Sequence, residues 1–399
     1  MAKLSKVVVN GYSEQWLRRG FPWVYPKEVE RGHTVPGPGT VVAVRSRSGQ
    51  ILGTGIADDG WIAVRVFRFD AGAIDEALVH GLLDEAQASR QVLVDEQTTA
   101  FRLVNGENDG LPGVRIDIWG HFAVLVLDSP ALRGLVPLLV SWLEDRRATR
   151  GIALCFRPDP RDRSRDGLGR SWVGGRPNRQ PVRVTERGTA FLVRPDQGPD
   201  VGLYCDMREV RRFLEPHWLG RRVLNTFAFT GAFSVVAALG GAAEVVTVDL
   251  ADAAIERAQA NFQANEIDAE AFEFLVGETH QVLDRFRRRQ RLFDLVILDP
   301  PSFSRDKRGK VWSAKSDWPR LVAAAARVID DGGWLVAASN QGSVAPKAFR
   351  QLVESGLKRA GRRGQLLWWG TQAPDFPAAT WFPEGSYLKV GVWRVMSGA

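Results

Sequence analysis

The stretch "LVILDPPSF", residues 295–303, decides how this chain reads. Four apolar residues run into Asp299, then Pro300, Pro301, Ser302 and Phe303. A short apolar run of this kind is a buried strand. The two prolines fix φ and remove backbone donors, so the strand ends in a stiff corner. A carboxylate, two exposed carbonyls and an aromatic ring then stand at one strand end. Asp299 can hold an amine there, and Phe303 offers a flat face to a base. The plainer alternative is a strand-end turn with a buried Phe.

Outward from this stretch the pattern is regular. From residue 221 onward strands alternate with helices: "RRVLNTFAF", "GAFSVVAALG", "EVVTVDL", "ADAAIERAQANFQANE", "AFEFLVGE", "THQVLDRFRRRQ" and "FDLVILD". The helix "DWPRLVAAAARVI", the strand "GWLVAASN" and the helix "PKAFRQLVESGLKRAG" follow. Such alternation predicts a mostly parallel sheet covered on both faces. "QLLWWGTQ" and "GSYLKVGVWRV" end the chain as a strand pair without an intervening helix, which predicts an antiparallel edge. The fold class is therefore α/β, with a seven-stranded mixed sheet.

Ligands of such a sheet sit past the C-terminal strand ends, near the point where strand order reverses. The loop after the first strand, "NTFAFTGAF", has only Gly231 as a flexible backbone and no phosphate cradle. Acids follow the next three strands: Asp249, Glu278 and Asp299. One acid in such a place is commonly a helix cap. Three beside a loop without a phosphate cradle fit a ligand with hydroxyls, an amine and positive charge. S-adenosylmethionine has that character, and Asp249 is placed to accept from its ribose hydroxyls.

The front of the chain differs. Residues 1–72 read as short strands with turns, among them "TVVAVRSRSGQILGTGIA" and "WIAVRVFRF". Residues 73–185 contain an expected helix at 75–97, strands around "NGENDGLPG" and a helix at about 130–147. The net charge is +7, with ten Arg against four acids in residues 150–187 and the run "RFRRRQR" at 285–291. These fit a polyanion or a solvated face. Two cysteines, Cys155 and Cys205, make neither a disulfide framework nor a zinc cluster. None of the five histidines stands at metal-ligand spacing from an acid or cysteine, so no metal is expected. No apolar run is long enough for a membrane span and no signal-peptide core opens the chain, which reads as cytoplasmic.

Several motifs in order resemble one family. "NGENDGLPGVRID", "GLYCDMREVR", "LNTFAFTGAFSVVAALGGAAEVVTVDL", "LDPPSF" and "FPEGSYLK" are similar to segments of the S-adenosylmethionine-dependent 23S ribosomal RNA methyltransferases of the RlmI type. The resemblance implies a PUA-like RNA-binding domain (1–72), a central β-rich subdomain (73–185) and a class I, Rossmann-like methyltransferase domain (186–399). It also implies cofactor contacts from Asp206 and Arg208, from Phe227, Phe229, Thr230 and Gly231, and from Asp249, Glu278 and Asp299. The partner would be 23S rRNA or a large-subunit assembly intermediate, with a homodimer left open.

The departures bear on chemistry. Relatives that methylate cytosine at carbon 5 carry Ser-Cys-Ser after the fifth strand; here it is Ser339-Asn340-Gln341. An amide cannot add to a pyrimidine ring as a thiolate does. The family's Asp-His-Pro is here Asp375-Phe376-Pro377, and its third-strand Asp is Glu278. A ring nitrogen already has a lone pair and needs only positioning. The expectation is therefore methylation of a ring nitrogen, guanine N7 favoured. Asp299, Pro300, Pro301 and Phe303 would frame a flipped-out base, and Asn340 would reach its edge. The alternatives are cytosine-C5 methylation through Cys205 or Cys155, a non-catalytic cofactor-binding RNA assembly factor, and an enzyme of small-molecule metabolism.

Overall fold

The computed structural model describes residues 4–157, 170–197, 200–301 and 313–398. The chain divides into two compact units. The first comprises Met1–Gly188, Val193–Val201 and Pro374–Gly385; the second comprises Thr189–Leu192, Gly202–Ala373 and Ser386–Ala399. Residues 374–385, expected to lie within the last domain, group instead with the first unit. There Arg102's backbone N–H donates to Asp375 Oδ2 at 2.9 Å, and the Arg102 guanidinium lies 4.5 Å from the centre of the Phe376 ring.

The first unit begins with β1 (Ser5–Val8), α1 (Gly11–Leu17), β2 (Trp23–Val24), β3 (Val41–Arg45), β4 (Ile51–Ala57) and β5 (Val64–Arg68). These strands form one sheet in the order β1-β3-β4-β5-β2. Gly53 and Gly55 in β4 are required by close approach, since a Cβ on either would stand 2.5 Å from a carbonyl of the chain alongside. Next come α2 (Glu76–Leu93), β6 (Ala100–Asn105), β7 (Val114–Trp119), β8 (Phe122–Leu127), α3 (Val136–Arg147), β9 (Gly151–Phe156) and β10 (Ser171–Gly175). The expected helix at 75–97 is α2, capped by the Asp75 carboxylate on the Leu78 N–H. β6 to β10 make a second sheet whose single parallel pair, β8 with β9, is spanned by α3.

The two sheets share a buried ionic joint. Arg65 contacts Asp58 at 3.1 Å and Glu107 at 3.5 Å, and all three are at most 7% exposed. Ser129 donates to Asp58 and Trp23 donates to Glu107, so every carboxylate here has a donor.

β11 (Val182–Glu186) and β12 (Thr189–Val193) pair around Arg187 and Gly188, both at positive φ, the geometry of a two-residue hairpin turn. The second unit continues with α4 (Arg208–Leu214), β13 (Arg222–Thr226), α5 (Ala232–Leu239), β14 (Glu244–Asp249), α6 (Asp252–Gln263) and β15 (Glu273–Val276). It closes with α7 (Thr279–Arg288), β16 (Phe293–Leu298), α8 (Ala314–Ala326), β17 (Ile329–Ser339), α9 (Pro346–Arg359), β18 (Arg362–Gly370) and β19 (Lys389–Ser397). The sheet has seven strands in the order β15-β14-β13-β16-β17-β19-β18. The first five run parallel, and β19 is antiparallel to both β17 and β18. The terminal strand pair is thus present, but its second strand is inserted inside the sheet. Strand order reverses between β13 and β16, where Thr226 pairs with Leu298. The loop after β13 therefore leaves the sheet beside Asp299.

Candidate active site

The rim of the second unit's sheet is assembled by register. Asp249 pairs with Val276, so the ends of β14 and β15 are level. Leu298 pairs with Ala337 and Ser339 with Lys389, which brings Asp299, Ser339-Asn340 and the start of β19 to the same edge.

The loop after β13 is tightly wound. Phe227, Phe229 and Gly231 have φ of 55°, 50° and 74°. Left-handed backbone costs an L residue roughly 1–2 kcal/mol, and two phenylalanines accept it here. The loop is pinned on several sides. Asp249 Oδ2 accepts from the Phe229 N–H at 2.8 Å, Ala228 N–H donates to the Val248 carbonyl, and Asn261 Nδ2 donates to the Thr230 carbonyl. A Cβ on Gly231 would stand 2.8 Å from Ala258 Cβ, so glycine is needed for both conformation and space. Phe227 packs on the apolar core, while Phe229 meets the Tyr204 ring at 5.3 Å and the Arg257 guanidinium at 5.5 Å.

Asp299 is the electrostatic centre. Its side chain is surrounded by protein yet keeps some surface open to solvent. Burial pushes its carboxyl from 3.8 up to about 7, the Asp206 charge pushes the same way and Arg211 opposes. Among the described residues no side chain forms an ion pair with Asp299. Asp206 Oδ2 accepts from the Tyr387 hydroxyl at 2.7 Å, and its carbonyl accepts from Ala373 N–H. Pro300 is buried and Pro301 exposed. Phe303 lies outside the described residues, as do residues 158–169 of the Arg-rich stretch.

The other expected contact residues have partners within the chain. The Thr230 hydroxyl donates to the Gly202 carbonyl and is buried, so it holds two loops together. Glu278 accepts from His280 N–H at 3.1 Å and from Gln281 N–H at 3.0 Å, which makes it the N-cap of α7. Asp249 is likewise engaged, its Oδ1 accepting from Ala251 N–H at 3.0 Å. An ionised carboxylate has about four acceptor positions, so Asp249 and Glu278 each retain acceptor capacity. Arg208 is buried at the start of α4. Asn340 is exposed just past β17. Asp375 is wholly buried in the first unit, tied to β6. Cys155 lies buried in β9, where burial pushes its thiol pKa up; Cys205 is 4% exposed.

Two residues of the rim were not among the sequence candidates. Lys389 is 4% exposed and its Nζ donates to the Gln341 carbonyl at 2.7 Å; burial lowers its pKa. Tyr387 reaches Asp206. Both stand in "FPEGSYLK", and a lysine heading an apolar strand was the available signal.

The arrangement offers a negative floor that a bound cation would stabilise, a rim carboxylate for hydroxyls, and a tight loop without a phosphate-binding turn. S-adenosylmethionine, with its ammonium, sulfonium and ribose, fits that donor set. Among the described residues no cluster of His, Cys, Asp and Glu could hold a metal ion, and no helix is long and apolar enough to cross a membrane.

Comparison with known proteins agrees. Residues 148–377 match the family model of S-adenosylmethionine-dependent methyltransferases, and residues 7–69 match a PUA-like domain. Ribosomal RNA large subunit methyltransferase I of Aeromonas salmonicida is 32% identical over 96% of this chain and 97% of its own length. The same-named protein of Salmonella arizonae is 32% identical over 98% of each. A solved methyltransferase, crystallised with SAH, superposes with a TM-score of 0.87 at 24% identity over 98% of this chain and 100% of that one, which shows the shared fold. The chain belongs to the family of S-adenosylmethionine-dependent methyltransferases, is an enzyme of that class, and uses S-adenosylmethionine as its cofactor.

Proposed function

We propose that this enzyme methylates a base of 23S ribosomal RNA, free or within a large-subunit assembly intermediate, at a ring nitrogen, with guanine N7 favoured. The names of the relatives and the PUA-like domain support the RNA substrate. One observation carries the choice of atom. The end of β17 presents Asn340, and both thiols are buried, Cys155 of them in the first unit. Addition to a pyrimidine ring needs an accessible thiolate.

In this reading Asp299, ionised, holds the cofactor's ammonium, and Asp249 takes the ribose hydroxyls. The bound cofactor supplies an electrophilic methyl group. Pro300 and Pro301 stiffen the wall beside the base, Asn340 hydrogen-bonds its edge, and Phe303 stacks on it. Lys389 holds the 339–341 turn through the Gln341 carbonyl. Phosphate contacts from the PUA-like domain and the Arg-rich stretch give affinity without reading sequence. The domain boundaries 1–72, 73–185 and 186–399 and a cytoplasmic site of action belong to the same proposal.

Nucleoside mass spectrometry of rRNA from cells with and without the gene tests it. Loss of one methylated purine, restored by a Cys155→Ala/Cys205→Ala double variant, is expected. Loss of 5-methylcytidine instead, not restored by that variant, would replace ring-nitrogen chemistry with the thiol mechanism. An unchanged nucleoside profile would remove rRNA as the substrate.

A further inference from the structure

Within the first unit a second concave site is built largely from rings. Tyr12 and Trp16 stand one turn apart on α1 and are 60% and 37% exposed, while Ser13 and Leu17 carry the buried face of that helix. Trp16 meets Phe21 edge-on at 5.9 Å, Phe21 meets Trp23 at 5.7 Å, and Trp23 meets Tyr25 at 6.1 Å. Phe382 backs this row, 4.8 Å from Trp23. The rings enclose a cavity of about 190 Å³, closed at one lip by Pro383 and Glu384. Tyr12 and Trp16 are open to solvent at the edge of a row whose Phe21 is buried, and exposed rings beside a cavity mark a binding surface.

The polar groups narrow the occupant. Glu28 lines the cavity and is 5% exposed, with Oε2 accepting from the Tyr25 N–H. Burial, then the charges of Glu384 and Glu28, raise the Tyr25 phenol above its usual pKa, so both acids face this space. Cations stand at the mouth: Lys27 lines it, and the Arg19 guanidinium lies 5.5 Å from the Trp16 ring centre. A buried carboxylate, Glu28, with an exposed carboxylate, Glu384, and cations around it fits a flat group bearing hydrogen-bond donors, attached to an anionic chain. Among the nucleobases, guanine presents two adjacent donors on its pairing edge, whereas adenine and cytosine each place a ring acceptor there.

We propose that this cavity takes one unstacked guanine of the RNA, its rings against Tyr12 and Trp16, its donor edge toward Glu384, and its phosphates toward Lys27 and Arg19. The proposal rests on RNA being the substrate. It adds a second point of base recognition, apart from the base that is methylated. Aromatic platforms and pairing-edge hydrogen bonds are how proteins read single-stranded RNA.

Fluorescence anisotropy of the full chain with labelled heptamers, UUUGUUU against UUUAUUU, UUUCUUU and all-U, tests this. The guanine strand should bind about tenfold tighter than the others, the scale of one good base-edge contact. Glu384→Gln, at an exposed position, should erase the preference while leaving general affinity. A Tyr12→Leu/Trp16→Leu double variant should weaken guanine-strand binding about tenfold, with cofactor titration unchanged as the folding control. Equal binding of all four strands, or variants that bind as the parent does, would overturn it, as would displacement of none of the RNA by GMP. Methylation of rRNA that persists under such results would leave the proposed activity standing and sink the cavity alone.

Discussion

Two groups of carboxylates, one in each unit, each include an acid whose pKa burial raises, yet the two groups differ in their partners. At the ionic joint of the first unit, Asp58 and Glu107 are matched by Arg65 and by donors from Ser129 and Trp23. At the rim of the second, Asp299 lies beside the like charge of Asp206, with Arg211 only partly offsetting it. The first set has a cation and two donors within the fold, although burial still raises the Glu107 pKa. In the proposed reading the cofactor's ammonium supplies the positive charge beside Asp299. Burial alone therefore does not mark a functional acid; the sign of what surrounds it does.

The contrast is sharpest in the effect of removing charge. Arg65→Met should leave two buried carboxylates uncompensated and destabilise the protein by about 3–5 kcal/mol, measured by urea unfolding. A loss under ~1 kcal/mol would mean that the joint is not held by that ion pair. Asp299→Asn should do the reverse to the fold. It removes a group that is costly to ionise, so the melting temperature without cofactor should rise at pH 8. Cofactor affinity should fall by about 100-fold, the scale of a lost charge-assisted contact. Calorimetry showing parent-like affinity would break the comparison at its centre.

The same residue fixes a pH dependence. Its folded pKa, about 7, lies above the ordinary 3.8, so its protonated form favours the fold. That contribution is complete below the ordinary value and is lost as pH rises through about 7. With ionised Asp299 holding the cofactor's ammonium, as proposed, affinity should fall about tenfold per unit below pH 7 and level off above it. Asp299→Asn should flatten that profile. The smallest effect is expected at Gly231→Ala, where a Cβ meets Ala258 and φ is positive. A loss of about 1–3 kcal/mol in stability, with weaker cofactor binding, would be seen in thermal melts and titration.

The alternation of strands and helices after residue 221 made the parallel sheet legible, and the register places the acids of the strand ends along one edge of it. Asp299 stood out because a proline pair after an apolar run has few other uses. What could not be read was non-local. Nothing in "GSYLKVGVWRV" says that it lies inside "QLLWWGTQ" rather than outside it, because antiparallel order depends on pairing across the sheet. Glu278 and Thr230 have suitable chemistry at suitable places, yet their nearest partners are the α7 N–H groups and the Gly202 carbonyl. Only coordinates decide between a ligand and a neighbouring loop. Asp375, which stands where the family has its Asp-His-Pro, is a buried tie to β6.

The insertion of β19 between β17 and β18 also bears on how the molecule is made. A ribosome delivers β18 well before the strand that joins it to the sheet. Until β19 arrives, β17 has a bare edge and β18 has nothing to pair with, and unpaired edges invite association between nascent chains. Lys389 and Tyr387, which steady the rim, follow β18 and arrive only with β19. The rim therefore cannot be complete until β19 has been made.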